Sequence, residues 1–256
     1  ILALVVIFLA FQMYIFSNLG PLSLGLFLGV MFLGVIVVIF FLVAWLLSFF
    51  ASVAGADDGR GIAPLQMLPA PPFTAVLSND ILFLDDAPSI ETFLTGLDGQ
   101  PPDWTAVYGS GHHDPGHDDR LFTLNRERDA GRAGNPSLLR RIAFRWSGEL
   151  SQFDPETRGF SVALGPVFTS TGWGQVRFKP DDLPGELKVI PPEGALEGLQ
   201  RELSAGKVVE LAVIIIGKLV PEESIVYDFS HDQEGLGLIM PFVRVEEIRY
   251  VLVPQG

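Results

Sequence analysis

The chain has 256 residues, 17 basic and 30 acidic side chains, a net charge of −13 and no cysteine. The missing Cys excludes disulfides and thiolate chemistry, and the acidic balance repels nucleic-acid phosphate. The charges are unevenly placed: residues 1–56 contain no Lys, Arg, Asp, Glu or His, and the first charge is Asp57.

Two apolar stretches, 1–16 and 24–50, flank Asn18-Leu19-Gly20-Pro21. A helix rises about 1.5 Å per residue and a bilayer core is about 30 Å thick, so roughly 20 apolar residues span it. A two-helix transmembrane hairpin is therefore expected over 1–54, broken at Gly20-Pro21, where Pro lacks an amide donor. The chain begins at Ile rather than Met, so the first span is expected to extend into a missing start. The second stretch is longer than the roughly 7–15 apolar residues of a secretory signal. Gly25, Gly29 and Gly34 leave part of it small-sided, open to a partner helix or simply to lipid. No ionisable group lies in either span, which argues against an ion path or proton relay. An uncharged turn crosses a membrane more easily than a 200-residue domain, so the remainder is expected on the cytoplasmic side.

Residues 55–72, rich in Gly, Ala and Pro, read as a linker. The segment 75–84 is expected to be extended. Ser89 caps an expected helix whose Ile90, Phe93, Leu94 and Leu97 recur at helical spacing. Apolar periodicity nearly vanishes over 99–136, which reads as an irregular excursion within a 73–140 region. From 141 to 256 the pattern becomes β: Ile142, Phe144 and Trp146 alternate with polar or small neighbours, and 160–164, 176–178, 208–216, 225–229, 238–245 and 248–253 read as further strands. One helix interrupts them, with Leu196, Leu199 and Leu203 on one face and Gly206 at its end. The expected fold is a membrane-anchored α+β chain: a helical hairpin, then a β-rich domain forming a small barrel or sandwich with one or two short helices.

Two clusters could carry chemistry. His112, His113, Asp114 and His117 form the densest set of metal-ligand types, although consecutive residues on a Gly-Pro loop converge only if the loop is held. Arg120, Arg126, Arg128, Arg132, Arg140, Arg141 and Arg145 lie within 26 residues containing only Glu127 and Asp129 as acids. Such a basic segment suits anionic lipid headgroups or an acidic partner; its plain alternative is a solvated face with internal ion pairs. The Gly-rich turns at 109–111 and 172–174 do not link a strand to a helix as a phosphate loop requires. No catalytic residue and no cofactor is expected.

Two segments, Ala205-Gly206-Lys207-Val208-Val209-Glu210-Leu211 and Leu238-Ile239-Met240-Pro241-Phe242-Val243-Arg244-Val245, resemble the PRC-barrel domain of the photosynthetic reaction-centre H subunit. The resemblance covers about 50 residues; that subunit has one membrane helix, whereas two spans are expected here. It implies a non-catalytic lid on a pigment-protein complex in a bacterial photosynthetic inner membrane. The sequence is accordingly read as a non-enzymatic accessory subunit of a larger, bioenergetic membrane complex, with lipid and other membrane subunits as partners and no nucleic acid. The alternatives are a membrane-tethered metal-dependent enzyme or sensor using residues 112–119, and a scaffold that recruits an acidic partner.

Overall fold

The run Leu211-Ala212-Val213-Ile214-Ile215-Ile216 has no polar face, as expected of a strand covered on both sides. A computed structural model, which describes residues 59, 61–68, 73–111, 114–230 and 236–252, places it in the wall of a closed barrel. All of these residues belong to the compact unit Asp57–Gly256.

The barrel strands are β1 (Ile62–Met67), β3 (Ile142–Asp154), β4 (Gly159–Gly165), β8 (Lys188–Ile190), β9 (Glu210–Leu219) and β11 (Gly237–Leu252). They pair in the order β1-β8-β4-β3-β9-β11, and β11 returns to β1 to close the ring. Every barrel pairing is antiparallel except those of β1, which runs parallel to both β8 and β11. Leu65 lies opposite Tyr250, and the Tyr250 hydroxyl donates to the Gly61 carbonyl at 2.7 Å, fixing the entry of β1. Residues read from composition as linker thus supply the closing strand.

Alternation sends Phe144, Trp146, Leu150, Phe160, Val162, Val213, Ile215 and Tyr250 into the main core. The opposite face of β9 is also buried: Ala212, Ile214 and Ile216 join Ala143, Ile81 and Val251 beneath Phe73, Val76, Leu77 and Phe83. Burying each such Ile contributes about 1.5–3 kcal/mol. The segment expected to be extended at 75–84 therefore serves as an outer cover, with a 3-10 turn, η1 (Phe73–Val76), and a short strand, β2 (Leu82–Phe83), beside β3.

Outer strands β5 (Thr169–Thr171), β6 (Gly174–Val176), β7 (Lys179–Asp181) and β10 (Ile225–Phe229) extend the sheet. The expected pair 238–245 and 248–253 is one bent strand, β11, with a bulge between Val245 and Glu247. Gly217 sits opposite Val245 there, and a side chain on it would strike the Arg244 carbonyl.

Four α-helices complete the described fold: α1 (Ala87–Asp98), α2 (Trp104–Tyr108), α3 (His117–Arg132) and α4 (Leu196–Ser204). A 3-10 turn, η2 (Pro136–Leu139), precedes β3. The cap of α1 is Asp86, whose carboxylate accepts from the Ser89 amide in a capping box, so Ser89 is the third helical residue rather than the cap. Ile90, Phe93, Leu94 and Leu97 are all buried, as their spacing requires. The region 99–136, expected to be irregular, holds α2 and α3.

These findings correct the expected membrane-anchored α+β class. The described chain is mostly β, a closed six-stranded barrel with outer strands, and no helix among the described residues is long and apolar enough to cross a membrane. The same finding corrects the assignment to the transmembrane proteins and the localisation as an integral protein of a bacterial photosynthetic membrane with a cytoplasmic domain. The hairpin expected over 1–54 lies outside the described residues.

Two tests follow from the packing. The Trp104 indole lies against Gly237 and donates from Nε1 to the Trp173 carbonyl at 2.6 Å, so a methyl on Gly237 would overlap the ring. Gly237→Ala should cost about 1–3 kcal/mol, seen as a lower urea midpoint at unchanged m value; an unshifted midpoint would contradict this packing. Asp154 accepts from Lys188 Nζ at 2.8 Å, from the Glu156 amide at 2.9 Å and from the Thr157 hydroxyl at 3.0 Å. These contacts, Lys188 first, hold its pKa down at about 2. A depressed carboxylate stabilises the fold above its ordinary value of about 4, and that contribution is lost as pH falls toward 2. Over this window the thermal midpoint of Asp154→Asn should fall less steeply with acidification than that of the wild type; parallel curves would remove Asp154 from the acid response.

Candidate interaction surface

Helix α3 has no apolar stripe: Leu121 and Leu124 are partly buried, Phe122 is exposed, and most other positions are polar. Polar side chains dock it instead, against the free edge of β10. Asn125 Nδ2 donates to the Tyr227 carbonyl and Asn125 Oδ1 accepts from the Tyr227 amide, both at 2.8 Å, so one side-chain amide completes the ladder as a neighbouring strand would. One helical turn pair further on, Arg132 Nη1 donates to the Ile225 carbonyl at 3.2 Å.

Arg132 is 1% exposed and heads the large fully buried side chains among the described residues. Its Nε and Nη2 make a bidentate pair with Asp98 at 2.6 and 2.8 Å, and Nη1 reaches Asp129 at 2.8 Å. The Tyr227 hydroxyl donates to the same Asp98 carboxylate, and the Tyr227 ring lies 5.6 Å from the guanidinium carbon. Burial works against the Arg132 charge, yet the bonds and charge of Asp98 hold its pKa above the ordinary arginine value. Burial, then the Asp98 charge, pushes the Tyr227 phenol up, so it stays a donor. Arg128 donates to the Asp98 and Gln100 carbonyls at 2.7 and 2.8 Å. The cluster ties α1, α3 and β10 together, and every polar arm of it already has a protein partner.

The other arginines singled out in the sequence are distributed around this frame. Arg120 pairs with Asp114 at 3.1 Å and donates to the Val107 carbonyl at 2.9 Å, locking the turn between α2 and α3. Arg141 reaches Glu246, Asp80 and Glu247, and Arg145 pairs with Asp85 at 2.8 Å. Arg126 lies over the Phe122 ring. Arg140 is exposed and has no carboxylate within ion-pair distance among the described residues.

Asp114 accepts from the Ser110 and Gly116 amides at 3.0 and 2.9 Å as well as from Arg120. These bonds, the Ser110 amide first, hold its carboxyl well below the usual carboxylate range. The His117 ring stacks on Phe229 at 4.7 Å, with Nε2 3.6 Å from Asp118. His112 and His113 lie outside the described residues, as do Gly25, Gly29 and Gly34. Among the described residues no three His, Asp or Glu side chains converge as a metal site.

An opening of about 940 Å³ lies along α4. Leu199 is buried and Leu196 and Leu203 pack on the core, which turns Gly198, Arg201, Glu202 and Ala205 toward the opening. Met67 and Leu252, at the ends of β1 and β11, form the far wall, and Val208 and Val209 continue it. Met67 is 46% and Val208 65% exposed, high for large apolar side chains on a groove. Arg201, Glu202, Lys207 and Glu210 ring this apolar surface with both signs of charge. An apolar floor inside a charged rim is the composition of a protein-contact patch.

Sequence reasoning missed Asp98, Asn125 and Tyr227. The available signal was Asn125, Arg128 and Arg132, which share one helical face where an apolar stripe would normally stand. No protein-family model, curated protein or solved structure matches this chain significantly.

Removing one partner of the buried pair leaves the other charge without compensation. Arg132→Met should therefore cost about 3–5 kcal/mol, and adding Asp98→Asn should recover a large part of it. Additive losses in this denaturation cycle would show that the two groups act independently.

Proposed function

We propose that this chain is a non-enzymatic accessory subunit of a larger protein assembly, in which the closed barrel is a rigid body and the α4 groove receives a segment of a neighbouring subunit. The observation that carries this reading is the groove itself. Val208 and Met67 stand exposed on one concave surface, and the charged rim matches no ligand of single charge sign but suits a polypeptide. The buried ionisable cluster supports it too, because Arg132, Asp98 and Tyr227 are consumed in joining α1, α3 and β10. A stiff cap of this kind preserves the shape of a docking surface and limits the ordering cost of association.

The test is site-specific photo-crosslinking in cells that make the protein. A photoreactive residue at Val208 should give one discrete heavier adduct, identified by mass spectrometry as a fixed partner, while the same residue at exposed Glu127 on α3 should not. Equal adduct patterns from both positions, or none from Val208, would overturn the assignment.

A further inference from the structure

The α4 groove runs onto the barrel wall at the start of β9. Glu210 lines both that groove and a neighbouring opening of about 310 Å³ over β3 and β9, whose lining includes Glu149, Ala212 and Phe73. Glu149 and Glu210 are direct partners in the antiparallel β3–β9 ladder, and both are exposed. Next along the ladder the Leu150 amide donates to the Val209 carbonyl at 3.0 Å. Glu149 and Glu210 are therefore a non-hydrogen-bonded pair, the kind whose side chains approach most closely. Like charges directly opposite on a sheet destabilise it.

Unpaired acids are common on a chain of net charge −13, but here the backbone holds two of them face to face. The other like-charged pair in the described ladders, Lys218 opposite Arg244, is neutralised from within the chain. Lys218 reaches Glu246 at 3.1 Å and Arg244 reaches Asp181 at 4.0 Å. Glu149 and Glu210 make no ion pair among the described residues, because the nearby cations are engaged elsewhere. Arg145, the cation of β3, takes Asp85 at 2.8 Å, and Lys207 lies 3.8 Å from Glu202. Arg201 donates to the Glu197 carbonyl of its own helix at 3.2 Å.

Resting on the docking role proposed for the α4 groove, we infer that the segment it receives carries one Lys or Arg, seated between Glu149 and Glu210. Apolar side chains next to that cation cover Met67 and Val208. A cation placed between two facing carboxylates replaces one repulsion by two attractions, and an arginine fork can bond both. A run of cations fits less well, because Arg201 and Lys207 line the same groove and oppose it. An acidic segment would add to the repulsion already present.

The test repeats the Val208 crosslinking in the double variant Glu149→Gln/Glu210→Gln. The parent protein should give the discrete adduct, and the crosslinked peptide should contain Lys or Arg within a few residues of the attachment point. The adduct should fade in the double variant. A synthetic copy of that peptide, followed by fluorescence anisotropy, should bind the double variant about tenfold more weakly than the wild-type chain, equivalent to about 1.4 kcal/mol. Each single substitution should raise the thermal midpoint at low salt by removing the repulsion, which separates lost binding from lost folding. An undiminished adduct, a crosslinked peptide without a basic residue, or equal affinity would overturn the inference and leave the groove's docking role standing. Absence of any Val208 adduct in the parent would remove both. A midpoint that does not rise would show that the two carboxylates do not repel, and would likewise overturn the inference.

Discussion

One strand, Gly237–Leu252, holds the described architecture together because its two edges serve different partners. Along one edge it meets β10 and then β9, both antiparallel; along the other it meets β6, β7 and β1, all parallel. Closing a sheet into a six-stranded ring requires a strand that bends without losing its ladder. The bulge at Glu246 supplies the bend, and Gly217 allows the close approach of the Arg244 carbonyl. Arg141 and Lys218 then bind the Glu246 carboxylate from β3's start and β9, holding the bend on its outer face.

The helical layer is fastened by a different kind of force. Helix α1 is held by an apolar face, in keeping with its buried Ile90, Phe93, Leu94 and Leu97. Helix α3 is held by hydrogen bonds from Asn125, Arg128 and Arg132 to the edge of β10 and the end of α1. Buried ion pairs of this type add little net stability, since desolvation opposes their attraction, but a misplaced partner is heavily penalised. The cluster therefore defines where α3 sits more than how strongly the domain folds. It also satisfies β10's edge, which would otherwise offer free backbone groups to another strand.

Against that internal economy, the α4 groove stands out by its composition. Apolar side chains at Met67, Val208 and Leu139 remain exposed although the core elsewhere is well filled. Met67 and Val208 line one concavity with charged groups at its edge, so that surface offers contact area and orientation together. The proposed docking at the α4 groove rests on this pairing of shape with chemistry.

The β-rich half was largely legible because alternation and local burial coincide: Ile142, Phe144 and Trp146 face inward as their spacing demands, and Leu196, Leu199 and Leu203 mark α4. Periodicity failed at α3, where packing is polar, and at 62–67, where the composition resembles a linker. It also divided β11 in two, because a bulge shifts the register of alternation at Glu246. The arginine segment could be seen in the sequence, but the partner of each arginine could not, since Asp98 is 34 residues from Arg132 and Glu246 is 105 from Arg141. By itself the sequence determined the strand pattern, the buried faces and the chemical types available. Only the tertiary structure decided which strands close the ring and which arginines are consumed in internal pairs, because those outcomes depend on contacts between residues that sequence distance does not encode.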